Sequence, residues 1–73
     1  MMDDKSSIFD QLRQVEREVV EGERRLAEQE RLIVELRREG QDTEHAEQEL
    51  ERLRKDQRVR NQDRQRLLSM LQP

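Results

Sequence analysis

The sequence predicts an all-α fold, an antiparallel two-helix hairpin (coiled coil), on three observations. Apolar residues recur at alternating spacings of four and three on both sides of the chain's middle. Charged residues make up 45% of the 73 residues, a composition that suits long amphipathic helices better than a compact enzyme. Between the two periodic segments, Gly40-Gln41-Asp42-Thr43 sets a helix stopper beside a helix starter. No segment shows the alternating pattern of a half-buried strand, and Pro73 is the only proline.

In chain order, residues 1–6 read as a flexible N-terminal tail, with Ser6 and Ser7 as the first candidate N-caps. The first helix is expected over about residues 7–39. Its seam runs Ile8, Leu12, Val15, Val19, Gly22, Leu26, Gln29, Ile33 and Leu36, a heptad pattern with weak positions at Gly22 and Gln29. Gly40 can adopt the left-handed conformation that closes a helix, and Arg37 and Arg38 suit the negative end of the helix dipole. Asp42 and Thr43 both offer a side-chain oxygen to free N–H groups, so residues 40–43 form the bend and either residue caps the second helix. The alternative is a glycine tolerated inside one unbroken helix.

The second helix is expected over about residues 43–71, within a hairpin spanning 7–72. Its seam runs Ala46, Leu50, Leu53, Gln57, Arg60, Arg64, Leu67 and Leu71, apolar at both ends and polar between. Folding the chain at the bend sets Ile33 opposite Leu50 and Val15 opposite Leu67 in one register. Gln29 and Gln57 then fall in neighbouring layers where they could bond each other, and Gly22 leaves room for the Arg60 stem. Outside the seam, Glu21/Arg25, Glu51/Lys55, Asp56/Arg60, Glu28/Arg31, Glu35/Arg38 and Glu49/Arg52 are spaced to pair along a helix.

The stretch Glu21-Gly22-Glu23-Arg24-Arg25-Leu26-Ala27-Glu28-Gln29, with Leu32-Ile33, Leu36, Gly40-Gln41-Asp42-Thr43 and Ala46, resembles a group of short alphaproteobacterial proteins. Their pattern is Glu-Gly, an aliphatic, Gln, an aliphatic pair, Leu, then Gly-x-Asp-Thr-x-x-Ala, and the resemblance covers about residues 15–71. It implies a helix–turn–helix fold and a bacterial cytosolic origin, and brings no activity with it. The chain departs from the pattern at residues 59–61, where relatives often carry a His.

Catalytic chemistry finds no support. There is no cysteine, and the two glycines, Gly22 and Gly40, are isolated, so no phosphate-cradling loop exists. His45 is the only histidine, and with Asp42 and Glu49 it makes at most one corner of a metal site; an exposed first-turn His is the expected role. A hairpin this thin has little interior in which to shift a carboxylate pKa. The expectation is a non-enzymatic chain with no cofactor, no metal and no small-molecule substrate.

No apolar run approaches the roughly 20 residues that span a bilayer, and the acidic start, Met1-Met2-Asp3-Asp4-Lys5, lacks the core of a signal peptide. A cytoplasmic location is therefore expected. Two function classes remain. One is a structural or regulatory adaptor working by protein–protein contact, in which Phe9, Val20, Ala27, Leu32, Val34, Leu68 and Met70 lie off the seam and form an interface. Two hairpins then pair as a homodimer, a four-helix bundle. The alternative is a nucleic-acid-associated accessory protein using the basic stretch Arg52, Arg54, Lys55, Arg58, Arg60, Arg64 and Arg66.

Overall fold

A computed structural model describes residues 4–72. Two helices account for nearly all of them, α1 over Asp4–Arg38 and α2 over Glu44–Leu71, packed against each other as an antiparallel hairpin. The result is a rod of 61 × 16 × 14 Å. Among the described residues there is no strand.

α1 starts earlier than the serines suggest. Asp4–Ser6 already belong to the helix, which shortens the expected tail; residues 1–3 lie outside the described residues. Serine is only mildly unfavourable inside a helix, so it need not mark the start. Ser7 accepts instead from Gln11 Nε2 one turn on, at 3.4 Å. Ile8, one turn into the helix, packs on the cluster at that end of the hairpin.

At the bend, Gly40 has φ +70. Its N–H donates to Arg37 O at 3.1 Å and the Gln41 N–H donates to Leu36 O at 2.9 Å. Those two bonds satisfy carbonyls that the helix end would leave unpaired, in the Schellman pattern that a left-handed glycine permits. The chain does not continue as one helix. Asp42 and Thr43 divide the capping role between them. Thr43 O accepts the first intrahelical bond, from Glu47 N at 2.8 Å, while its own side chain makes no cap bond. Asp42 Oδ1 accepts from Glu44 N at 3.0 Å. α2 accordingly begins at Glu44, one residue later than expected.

The interior is two apolar clusters separated by a polar middle. Near the open end Leu12, Val15 and Leu67 are buried, with Ile8, Leu68 and Leu71 packed around them. Near the bend Ile33, Ala46 and Leu50 are buried, flanked by Leu26 and Leu36. The pairings of Val15 with Leu67 and of Ile33 with Leu50 thus each fall within one cluster. Between the clusters sits Gln57, 5% exposed.

The two glutamines do not bond each other. Gln57 Nε2 donates to Val19 O at 2.7 Å, and Gln29 Nε2 donates to Ala46 O at 2.9 Å. Each carbonyl has a second lone pair beyond its helical bond, so both amides find an acceptor on the opposite backbone. The space above Gly22 is filled mainly by the Gln57 amide, with Arg60 Nη1 at its edge, rather than by the Arg60 stem alone.

Candidate interaction surface

The residues read as an interface occupy different places. In α1, Val20, Ala27 and Val34 each directly follow a seam residue, Val19, Leu26 and Ile33. They form one row about 100° around the helix from the seam. All three are exposed, Val20 at 70%. Phe9, half exposed near the helix start, lies beside the row rather than in it, seven residues before Glu16. Leu32 belongs elsewhere: two residues before Val34, it projects from the far flank of α1. Leu68 is half-buried against the open-end cluster and adds little to any exposed patch.

Met70 is exposed but faces away from Phe9. One groove between the helices is lined by Val34 with Glu47, Glu51 and Arg54. The opposite groove is lined by Gln14 and Glu18 with Asp63 and Arg66. Met70 follows Asp63 by seven residues and Arg66 by four, which sets it on the second face. Val59, seven residues before Arg66, shares that face and is also exposed; the seam pattern gave no reason to single it out. Leu32, Val59 and Met70 are scattered along their face as isolated apolar residues, which is ordinary for a protein surface.

The row on α1 has company that seam reading overlooks. Residues 16–36 repeat a heptad three times: Glu16-Arg17-Glu18-Val19-Val20-Glu21-Gly22, then Glu23-Arg24-Arg25-Leu26-Ala27-Glu28-Gln29, then Glu30-Arg31-Leu32-Ile33-Val34-Glu35-Leu36. The first, second and sixth positions keep their charge in all three. The apolar row is therefore bordered by a line of glutamates on one side and a line of arginines on the other. Arg24 in that second line donates to Glu21 Oε1 at 2.6 Å and to Glu28 Oε1 at 3.0 Å. The hydrogen bond from Arg24, with the nearby charges of Arg24 and Arg25, holds the Glu21 carboxyl below its usual range, and the same contact raises the Arg24 guanidinium.

The basic stretch of α2 is largely matched within the chain. Arg52 reaches Glu49 at 2.7 Å, which raises its pKa, and Arg66 reaches Asp63 at 3.9 Å. Glu51 meets Arg54 at 3.8 Å and Arg58 at 3.6 Å rather than Lys55. Arg64 crosses to Glu16 of α1 at 3.9 Å. Arg60 turns inward, donating to Gln57 Oε1 at 3.4 Å instead of pairing with Asp56. Lys55 is exposed. Glu28 likewise takes Arg24 rather than Arg31, whereas Glu21/Arg25 and Glu35/Arg38 meet as spaced, at 3.5 and 3.3 Å. A further link across the bend joins Arg37 to Glu47 at 2.6 Å.

His45 is exposed at the start of α2, and the described residues contain no group of three or more His, Cys, Asp or Glu placed to hold a metal. No helix among the described residues is long and apolar enough to cross a membrane. No family model, curated protein or solved structure matches the chain.

Proposed function

We propose that the hairpin is a non-enzymatic protein–protein interaction module, a small structural or regulatory adaptor that associates with a second copy of itself. The observation that carries this reading is the exposed row of Val20, Ala27 and Val34 on the outer face of α1. The row repeats in step with the seam, yet the hairpin supplies it with no partner. A thin core strengthens the case. Among the described residues no side chain is completely enclosed, and a chain of this size gains stability by covering further apolar surface in an assembly. Two-fold pairing meets both needs, because one patch covers its own copy and four helices come together.

Light scattering over a dilution series tests the reading. The expected mass is that of two chains, falling toward one on dilution. The double variant Val20→Glu/Val34→Glu should be a single chain at every concentration, with its helical circular dichroism retained. A native chain that stays single throughout, with helicity intact, would overturn self-association.

A further inference from the structure

Building on that self-association, we propose that the second copy packs in parallel, with the two-fold axis along the rod, so that both bends lie at the same end. The warrant is charge complementarity beside the apolar row. Glu16, Glu23 and Glu30 line the side of the row nearer α2, as the Glu16–Arg64 contact at 3.9 Å shows. Arg17, Arg24 and Arg31 line the other side. A two-fold axis parallel to the helices brings the glutamate line of one copy against the arginine line of its partner, along both edges of the contact. An axis perpendicular to the helices sets glutamates against glutamates and arginines against arginines. Like charges in register repel, and such pairs govern orientation in coiled coils.

The groove between the helices argues the same way. It adjoins Val34 and carries Glu30, Arg37, Glu47, Glu51 and Arg54 over a floor of Ile33 and Leu50. Antiparallel pairing through the α1 row would turn two such grooves toward the centre of a closed bundle and take those charges out of water, which is expensive. Parallel pairing leaves α2 of each copy on opposite outer sides, and one side of each groove stays open to water. The Arg24 pairs with Glu21 and Glu28 do not prevent the exchange of partners, because all three side chains are about half exposed or more and such pairs contribute little.

Single cysteines in the full chain, otherwise free of cysteine, read the orientation directly. With the axis along the rod, every residue of the row meets its own copy. Val20→Cys and Val34→Cys should each form a homodimeric disulfide under mild oxidation, about tenfold or more faster than Gln48→Cys on the exposed face of α2, which reports random collision. Positions 20 and 34 lie about 21 Å apart along α1. That is beyond the roughly 7 Å a disulfide can bridge between Cα atoms, so a mixture of the two variants should give no mixed product above collision. A mixed product that outpaces both homodimers would show antiparallel packing and overturn the proposal. Ala27→Cys separates the two levels of the argument, since the middle of the row meets its own copy in either orientation. If Ala27→Cys links rapidly while Val20→Cys does not, the orientation fails and self-association through this face stands. If Ala27→Cys links no faster than Gln48→Cys, the face itself is not the contact, and both readings fail.

Discussion

A Cβ at position 22 would collide with Gln57 Oε1 and lie 2.8 Å from Gln57 Cδ and 3.1 Å from Arg60 Nη1. The glycine is there because a side chain from the other helix occupies its place. Two effects oppose each other on Gly22→Ala. Alanine gains about 1 kcal/mol over glycine in a helix interior. Displacing the Gln57 amide breaks its bond to Val19 O, which costs about 1–3 kcal/mol when the donor stays buried and unpaired. The substitution should therefore be neutral or destabilising in the native chain and stabilising by about 1 kcal/mol in a Gln57→Ala background. Thermal melts of the four variants measure this coupling, and equal effects in the two backgrounds would rule out the glycine–glutamine contact. Gly40 is the opposite case. Nothing lies within 4 Å of a Cβ built there, so only its φ of +70 resists a side chain. Gly40→Val should cost about 1–2 kcal/mol and Gly40→Asn distinctly less, because asparagine tolerates that conformation. Equal melting temperatures for the two variants would count against a left-handed bend.

At the scale of the helices, stability concentrates at the two ends of the seam. Leu50 is buried beside Ile33 and Ala46, whereas Leu53, three residues on, is only half-buried. Leu50→Ala should cost about 2–3 kcal/mol, near the low end for buried leucines because a two-helix groove is not fully enclosed. Leu53→Ala should cost less than half as much. Urea titration followed by helical circular dichroism gives both numbers, and a larger loss for Leu53 would shift the register. This pattern was legible in the sequence, because heptad spacing names the faces that meet and the Gly40-to-Thr43 signals say where the chain turns. What the spacing could not show is where long polar side chains end. Gln29 and Gln57 are neighbours by register, yet each reaches a backbone carbonyl instead, and Arg60 prefers Gln57 to Asp56. Rotamers of long polar side chains are settled by nearby acceptors, not by periodicity. Leu68 shows the same limit, since it lies off the ideal seam but tucks into the open-end cluster. The heptad of charges on α1 was in plain view, but it takes on meaning only once the seam is occupied and the remaining row is seen to be bare.

At the scale of the whole molecule, added salt separates the hairpin from its assembly. The ion pairs within one chain lie on exposed side chains, so each contributes little to the fold. The formal net charge of −3 on 73 residues also leaves little self-repulsion to relieve. The melting temperature of the dilute single chain should therefore hardly move as the screening length shrinks from about 10 Å at 0.1 M salt to about 3 Å at 1 M. The dimer should behave differently. Opposite charges facing across its contact lose attraction when screened, so the proportion of dimer should fall as salt rises. Like charges facing across an antiparallel contact would give the reverse sign, and an apolar contact without charged borders would hold steady or tighten slightly. Sedimentation equilibrium across that salt range reads the sign without any substitution. A dimer that strengthens with salt while the dilute chain melts unchanged would exclude parallel packing of α1 against its copy.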